Sequence, residues 1–305
     1  MKILITGSSG LIGSALKIAL ESLQIDVVEF DISRSKDILD ANLLFSEMEH
    51  VDGVVHLAAV SRVIDGEKKP KLCWKTNVEG TRNVAEAALA SSKQPWVIYA
   101  SSREVYGEQK ELPVKESAPL RPVNIYGESK LEAENMIALA QAKGLTASIV
   151  RFSNVFGSVN DHPDRVVPAF CRAAAEGSNL RVDGSNNMFD FTYLEDVVQG
   201  VISLIRLLTR TKESLPPIHL TSGTGVTLGE IAQIAQEASY YPISIIEKPS
   251  RSFDVSRFYG DTSRAKAILN WQARVPVQEG MHRLINQFRI YFHSCKGVEV
   301  EKNLV

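Results

Sequence analysis

Tyr126 and Lys130 are four residues apart in a stretch that begins at Asn124. In a helix, both side chains would lie on one face, one turn apart. The ordinary pKa of a tyrosine is about 10, and a nearby positive charge lowers it. Such a tyrosine can take a proton from an alcohol near neutral pH. The same spacing occurs on many solvated helix faces, so this chemistry requires a cofactor and a substrate beside the pair.

A glycine-rich segment near the N-terminus is a candidate cofactor site. Residues 2–6 form a short apolar run typical of a buried parallel strand, and residues 14–23 have helical periodicity. Between them lies a Gly-x-x-Gly-x-x-Gly turn, where the backbone can approach a pyrophosphate at the helix N-terminus. The residues expected to bind the cofactor there are Gly7, Ser9, Gly10, Leu11, Ile12 and Gly13.

Asp31 ends the second predicted strand, which covers residues 26–30. A carboxylate about 20 residues past the glycines accepts hydrogen bonds from the adenosine ribose hydroxyls. Its charge would repel a 2′-phosphate, so the sequence favours NAD over NADP, although Ser33 and Arg34 keep NADP open. The residues expected to flank the adenine are Asp37 and Ile38.

Further strands are predicted at residues 53–57, 96–100 and 146–152, with helices at residues 76–91 and from Asn124, a plausible N-cap, onward. This alternation predicts an α/β fold, a Rossmann doubly wound parallel sheet with helices on both faces. Ligands of such sheets lie at the carboxyl ends of the strands. The residues expected at that edge are Leu57, Ala58, Ala59, Ala100, Ser101 and Ser102.

The alternation changes after Gly157. Residues 166–176 and 227–238 are predicted helices, the second with a capping box formed by Thr227 and Glu230. Residues 190–208 are expected to return to the sheet as a strand followed by a helix, and residues 216–221 to form another strand. We therefore predict a smaller C-terminal α/β substrate lobe. Residues 1–157 and about 188–222 would form the NAD-binding domain, and about 158–187 and 223–305 the substrate-binding lobe.

The bulk properties exclude several classes of function. The chain has 305 residues and a formal net charge of -2, so no global field attracts nucleic acid or anionic lipid. No apolar run approaches the roughly 18 residues of a membrane span, and the N-terminus does not resemble a signal peptide. The 3 cysteines are scattered, which favours reduced thiols over disulfides or a metal site. A cytoplasmic enzyme or binding protein is expected.

Several short motifs follow one another in a characteristic order. They cover residues 6–13, 56–59, 77–81, 101–107, 126–130, 151–157, 190–196, 261–265 and 269–271. In this order and spacing they resemble the extended short-chain dehydrogenase/reductases, specifically the NAD-dependent epimerase/dehydratase family that acts on nucleotide sugars. The similarity to UDP-glucose 4-epimerases runs from the first strand to about residue 290.

The resemblance implies roles for Tyr126 and Lys130, and for Ser102 beside them. Tyr126 would be the general base, Lys130 would bind the nicotinamide ribose and lower the tyrosine pKa, and Ser102 would hydrogen-bond the reacting hydroxyl. Oxidation of a sugar alcohol needs a proton acceptor on oxygen and a hydride acceptor at carbon, which Tyr126 and NAD would supply. The resemblance adds further residues to the cofactor site, namely Asn77 and Phe152.

Substrate contacts are also implied by the resemblance. Asn154 would contact the sugar diphosphate, and Arg251 would bind the pyrophosphate, a task that suits the planar guanidinium. A solvated surface arginine is the alternative at position 251, because the neighbouring proline and glycine of the family are absent. Phe258 would limit the substituent at C2 and disfavour an N-acetylated sugar.

The chain departs from the family pattern at two places. Phe189 stands where many members have an arginine that binds phosphate, and Arg181 or Arg257 could compensate. Arg103 and Glu104 stand where dehydratases have an Asp-Glu pair, which argues against dehydration. Glu104 is a candidate catalytic residue, with a simple ion pair as the alternative. Arg103 is a candidate substrate contact.

The sequence thus predicts an NAD-dependent nucleotide-sugar epimerase, acting at C4 through a transient 4-keto sugar. A UDP-glucuronate decarboxylase or a 4-keto-sugar reductase on the same scaffold is the alternative. A non-catalytic NAD-binding regulator is an alternative of another class, disfavoured by the intact set of Ser102, Tyr126 and Lys130. The resemblance implies a nucleotide-diphosphate sugar as substrate. It also implies a homodimer formed through helices 76–91 and 124–143.

Overall fold

The computed structural model describes residues 1–250 and 255–302, with side chains up to residue 294. The strands in this part of the chain are β1 (Lys2–Thr6), β2 (Asp26–Phe30), β3 (Gly53–His56), β4 (Trp96–Ser102), β5 (Ala147–Phe152), β6 (Asn154–Phe156), β7 (Leu180–Asp183), β8 (Met188–Tyr193), β9 (Ile218–Leu220), β10 (Gly225–Thr227), β11 (Ile245–Lys248) and β12 (Arg257–Phe258).

The helices lie between these strands and after them. They are α1 (Leu11–Ser22), α2 (Ala41–Met48), α3 (Val63–Lys68), α4 (Pro70–Trp74), α5 (Gly80–Ala90), α6 (Ile125–Ala142), α7 (Val166–Glu176), α8 (Leu194–Thr211), α9 (Leu228–Glu237), α10 (Ser263–Leu269) and α11 (Val277–Lys302). A π-helical stretch, Lys75–Glu79, joins α4 to α5, and a 3₁₀ turn, Arg103–Tyr106, follows β4. Among the described residues, no helix combines the length and the apolar character that crossing a membrane would need.

The first sheet confirms the predicted Rossmann architecture. Its strand order is β2-β1-β3-β4-β5-β9, and all neighbouring strands are parallel. The order reverses between β1 and β3, which is where doubly wound sheets bind their ligands. Ile3 and Ile5 pack with α1 and α8 on one face, whereas Leu4 packs with α2, α5 and α6 on the other. Burial on both faces explains why the strand sequences are continuously apolar.

A second, mixed sheet is built around β8. This strand pairs antiparallel with β10 and parallel with β12 and β6. The helices α7, α9 and α11 contribute to the same hydrophobic core, and β11 pairs with β7 beside it. These elements form a smaller lobe at the edge of the first sheet.

One expectation about the route of the chain needs correction. The strand expected near residue 190 does not return to the first sheet, because β8 lies in the second. The helix that follows it, α8, does pack against α1 and the first sheet, and β9 is the edge strand of that sheet. The apolar residues of β8 indicate burial but do not specify the neighbouring strand. The domain boundaries given above stay a prediction.

Two predicted helix caps are confirmed by the structure, whereas the helices predicted from residues 14 and 76 begin at Leu11 and Gly80. The side chain of Asn124 accepts a hydrogen bond from the backbone N–H of Gly127 at 2.8 Å and caps α6, the helix of Tyr126 and Lys130. Thr227 and Glu230 form the predicted capping box at the start of α9. Both caps satisfy N–H groups that the helix itself leaves free.

Candidate active site

A cavity of about 1070 Å³ runs along the carboxyl ends of the first sheet and reaches β8 and α7. It brings together residues from the glycine-rich turn, the ends of β3, β4 and β5, and the start of α6. The predicted site residues on its wall are Gly7, Ser9, Gly10, Leu11, Ile12, Gly13, Asp31, Asp37, Ile38, Leu57, Ala58, Ala59, Ala100, Ser102, Arg103, Glu104, Tyr126, Lys130, Phe152 and Asn154.

Three predicted site residues are placed differently. Asn77 is buried behind the wall, where its Oδ1 accepts from the N–H of Val60 at 2.8 Å and its Nδ2 donates to Ser129 Oγ at 2.9 Å. It therefore holds the loop after β3 against α6. Phe258 is also buried, 1% exposed, and does not belong to the described cavity wall. Arg251 lies outside the described residues.

The backbone of the glycine-rich turn packs so closely that two of its glycines admit no side chain. Gly7 has φ +70°, and a Cβ atom there would lie 2.7 Å from the backbone nitrogen of Ala58. At Gly13, a Cβ atom would lie 2.2 Å from the carbonyl oxygen of Gly7. Among the described residues, no side chain caps the N-terminus of α1, whose Leu11 and Ile12 line the cavity. Uncapped N–H groups at a helix N-terminus suit the pyrophosphate of NAD.

Asp31 is held as a charged carboxylate at the end of β2. Its oxygens accept from the backbone N–H of Ser9 at 3.0 Å, and from the N–H and Oγ of Ser33 at 2.9 and 2.7 Å. Partial burial raises the pKa of Asp31, but the hydrogen bonds from Ser33 and Ser9 outweigh it and hold the pKa below the ordinary value. This carboxylate fits the role of accepting hydrogen bonds from ribose hydroxyls.

Lys130 is largely buried in the cavity wall next to β4. Its Nζ donates to the carbonyl oxygen of Ala100 at 2.8 Å and lies 6.0 Å from the ring centre of Tyr126. Burial disfavours the charged ammonium and lowers the pKa of Lys130 to about 8. An ammonium has three donors, so the bond to Ala100 leaves two for other partners.

The acidity of Tyr126 corrects the expectation from the sequence. Burial raises its pKa to about 12, and the hydrogen bond with Ser102 and the positive charge of Arg165 lower it only in part. Burial is the dominant influence on this pKa. In the protein without cofactor, Tyr126 is therefore a neutral phenol at physiological pH.

Ser102 brings a second hydroxyl to Tyr126. It is the last residue of β4, and its Oγ accepts from the backbone N–H of Glu104 at 3.2 Å. This bond begins the 3₁₀ turn and fixes the serine side chain beside the tyrosine. Together, the two hydroxyls can bind one alcohol of a substrate and move its proton.

Arg103 and Glu104 form an ion pair next to these hydroxyls. Nη2 of Arg103 lies 2.9 Å from Oε1 of Glu104, and Asn124 Nδ2 donates to Oε2 of Glu104 at 2.9 Å. The Arg103 guanidinium lies over the ring of Phe189, 4.4 Å from its centre. Both carboxylate oxygens of Glu104 are thus engaged, one in the ion pair and one by Asn124, and its catalytic role stays a prediction.

The arginines proposed to replace the one missing at position 189 are placed differently. Arg181 lies on the cavity wall, but its side chain is 70% exposed and pairs with Asp183 at 2.8 Å. Arg257 lies next to Phe258 in β12 and is outside the described wall. Arg103, which the sequence did not suggest for this role, is the guanidinium that contacts Phe189.

A set of ion pairs across the cavity was missed from the sequence. Arg62, in the loop after β3, pairs with Asp164 in the loop after β6. Arg165 of the same loop donates to the carbonyl oxygen of Ser61 at 3.5 Å and lies 3.5 Å from Asp161. The polar character of residues 160–165 was visible in the sequence, but no spacing rule connects positions so far apart. These contacts join the two lobes beside the cavity.

The described residues contain no cluster of His, Cys, Asp or Glu side chains that could hold a metal ion. The candidate site thus consists of two hydroxyls, a buried ammonium, a glycine-rich turn and the carboxylate of Asp31. Such a set can bind a dinucleotide and transfer a proton to or from an alcohol.

Comparisons with known proteins agree with this geometry. A model of the NAD dependent epimerase/dehydratase family matches residues 3–214. The chain is 27% identical over 307 residues to a UDP-glucose 4-epimerase of Lactobacillus helveticus, covering 90% of this chain and 92% of that protein. It is 29% identical over 309 residues to a UDP-glucuronic acid decarboxylase 1 of Danio rerio, covering 94% and 72%.

A solved structure is similar over nearly the whole chain. The structure of MoeE5 in complex with UDP-glucuronic acid and NAD superimposes with a TM-score of 0.88 at 26% identity. The superposition covers 95% of this chain and 100% of that one. The likeness thus includes both the first sheet and the smaller lobe.

Proposed function

Because this chain belongs to the NAD dependent epimerase/dehydratase family, we propose that it is an NAD-dependent epimerase of nucleotide-diphosphate sugars. It would act at C4 of the sugar through a transient 4-keto form. The observation that carries the proposal is that Ser102, Tyr126 and Lys130 line the same cavity as the glycine-rich turn. The UDP-glucose 4-epimerase among the relatives and the neighbour solved with NAD support it.

The residues proposed to hold the cofactor line the same cavity. The glycine-rich turn and the start of α1 would bind the pyrophosphate, and Asp31 the adenosine ribose. Lys130 would bind the nicotinamide ribose with the two donors that Ala100 leaves free. When bound, oxidised NAD supplies a hydride acceptor and a positive charge near Tyr126.

The proton transfer belongs to Tyr126 and Ser102. Ser102 would orient the C4 hydroxyl, and Tyr126 would take its proton and later return it. The pKa of about 12 means that Tyr126 needs additional positive charge nearby before it can act as a base at neutral pH. Arg165 provides part of that charge in the protein itself. This requirement couples proton abstraction to the presence of the oxidised cofactor.

A UDP-glucuronate decarboxylase is the second candidate. The observation that favours it is the buried carboxylate of Glu104 two residues after Ser102, together with the decarboxylase among the relatives. The carboxylate is, however, held by Arg103 and Asn124 on both of its oxygens. This arrangement favours a structural ion pair and so the epimerase.

The products would distinguish the candidates. Purified protein is incubated with UDP-glucose, UDP-galactose, UDP-glucuronate and UDP-N-acetylglucosamine, with and without added NAD, and the products are followed by mass and NMR. The epimerase proposal expects an isomer of unchanged mass without net consumption of cofactor. Loss of carbon dioxide would support the decarboxylase, and net reduction of added NAD with formation of a keto sugar would support a 4-keto reductase running in reverse. NAD binding without turnover of any nucleotide sugar would support a regulator.

A homodimer is part of the proposal. The helices α5 and α6 would pair with those of a second copy. Apolar side chains near this surface are exposed in the single chain, including Leu72 at 48%, Trp74 at 41% and Leu139 at 58%. Light scattering should give twice the chain mass, and Leu139→Glu should shift the protein toward the monomer. We place the enzyme in the cytoplasm, where the free thiols of Cys73 and Cys171 would stay reduced.

A further inference from the structure

The guanidinium of Arg103 is buried with unused hydrogen-bonding capacity. Its side chain is 12% exposed and pairs through Nη2 with Glu104 at 2.9 Å. Its Nη1 is buried and has no hydrogen-bond partner among the described residues. A guanidinium has five N–H donors, and leaving a buried donor unpaired is unfavourable. At this part of the cavity wall, the neighbouring residues therefore leave hydrogen-bond donors of the Arg103 guanidinium without an acceptor.

The orientation of this guanidinium is fixed from three sides. Its central carbon lies 4.4 Å from the ring centre of Phe189 and 5.9 Å from that of Phe258. Glu104 holds Nη2 and is itself held by Asn124. Phe258 is in turn stacked on Tyr106, with ring centres 5.9 Å apart. A group positioned in this way loses little conformational entropy when it binds a ligand.

The location of Arg103 restricts what it could bind. It directly follows Ser102, and both share the cavity wall with Tyr126, Asn154 and Phe189. Arg103 therefore lies close to the hydroxyls of Ser102 and Tyr126, at the end of the cavity where the proposed function places the sugar. The oxyanions of a nucleotide-diphosphate sugar near that end are the diphosphate and, in a uronic acid, the carboxylate at C6.

We propose that Arg103 is a specificity-determining residue that binds an oxyanion of the substrate, with Glu104 as its positioning residue. This inference rests on the proposed function. Carboxylate and phosphate oxygens share the geometry that a guanidinium fork binds through paired N–H donors. The oxyanion is either the carboxylate of a uronic acid or the diphosphate. Arg103 thereby supplies a positive charge for the substrate, in place of the arginine that many family members have at the position of Phe189.

The test measures equilibrium binding to the NAD-loaded protein by calorimetry. The probes are UDP, UDP-glucose and UDP-glucuronate. The central variant is the double substitution Arg103→Met with Glu104→Gln, because removing the arginine alone would leave a buried carboxylate unpaired. Glu104→Gln alone reports the positioning effect. Arg172→Met is the matched control, since Arg172 pairs with Glu176 in the smaller lobe and is not on the cavity wall.

We expect the double variant to bind the recognised probe roughly 10- to 100-fold more weakly, as fits the loss of charge-assisted hydrogen bonds. A loss confined to UDP-glucuronate identifies the sugar carboxylate, whereas an equal loss for all three probes identifies the diphosphate. Glu104→Gln should weaken the same probe by less, and Arg172→Met should leave binding unchanged.

Binding of all three probes within twofold of the wild type, with NAD retained, would overturn the inference. If the double variant does not fold, Arg103→Lys is tested instead, because an ammonium cannot reproduce the paired N–H donors of the guanidinium. Unchanged affinity of Arg103→Lys would overturn the inference as well. Turnover by the wild type is a separate measurement. Absent turnover with tight binding would refute only the proposed epimerase activity, and absent binding of every probe by the wild type would refute both.

Discussion

Lys130→Met should stabilise the protein without cofactor and weaken its binding of NAD. The ammonium of Lys130 is 4% exposed, and burial lowers its pKa to about 8. Each pKa unit corresponds to about 1.4 kcal/mol, so keeping this group charged in the folded protein at pH 7 costs roughly 3 kcal/mol. The substitution removes that cost and keeps a linear side chain in the same space.

The gain is offset in part by the lost hydrogen bond. Nζ donates to the carbonyl oxygen of Ala100, and leaving this acceptor without its donor costs about 1–2 kcal/mol. The net expectation is a rise of about 1–2 kcal/mol in the free energy of unfolding at pH 7. NAD affinity should fall at least about a hundredfold, since two charge-assisted hydrogen bonds to the ribose would be lost.

The assay combines denaturant unfolding of the cofactor-free protein with calorimetric titration of NAD. Between pH 8 and about 10 the folded wild type has released the Lys130 proton while the unfolded chain retains it, so stability should rise with pH. The variant should lack this rise. Lys17→Met is the matched control, because Lys17 pairs with Glu29 away from the cavity wall and should change neither stability by more than about 1 kcal/mol nor NAD affinity.

Two outcomes would contradict the reasoning. The first is a cofactor-free Lys130→Met variant that is less stable than the wild type by more than about 1 kcal/mol, the order of one net hydrogen bond. This would show that the buried ammonium does not lower the free energy of unfolding. An unchanged NAD affinity would show that Lys130 does not bind the cofactor.

Three further expectations follow from other groups in the structure. Tyr126→Phe should lower turnover by about 10²- to 10⁴-fold while NAD binding and stability are retained, and full activity would remove the tyrosine from the proton transfer. Asp31→Asn should lower the preference for NAD over NADP by about tenfold in binding titrations, because the variant no longer carries the charge that repels a 2′-phosphate, and an unchanged ratio would argue against this role. Burial lowers the pKa of His56 to about 3 and of His219 to about 4. The unfolded chain, with a histidine pKa of about 6.5, therefore binds more protons below that pH, and the free energy of unfolding should fall by up to about 1.4 kcal/mol per pH unit for each histidine between pH 6.5 and 5. A free energy of unfolding that does not change with pH over that range in denaturant titrations would contradict the prediction for the two histidines.

Much of the fold and cofactor site was predictable because its signals are local. The glycine-rich turn lies between a strand and a helix, and its spacing is set by steric limits that the structure shows at Gly7 and Gly13. The caps at Asn124 and Thr227 depend on side chains within three residues of the N–H groups they bind. Periodicity and capping act over a few residues, so the sequence alone is enough to predict them.

The features that could not be predicted depend on contacts between distant parts of the chain. The pKa of Tyr126 is dominated by burial, which no spacing of Tyr and Lys reveals. The neighbours of β8 and the ion pair between Arg62 and Asp164 join segments far apart in sequence. Phe258 is buried beside Arg103, where its ring stacks on Tyr106, and its predicted effect on the substrate stays a prediction.

The position of β9 has a consequence for how the protein is made. This edge strand of the first sheet follows α7, β7 and β8 in the chain, and it pairs with β5. A growing chain on the ribosome therefore exposes the open edge of β5 until residue 220 has emerged, after α7, β7 and β8 have been synthesised. Such an edge can pair with another chain. A fragment that ends after β5 would accordingly be prone to aggregate.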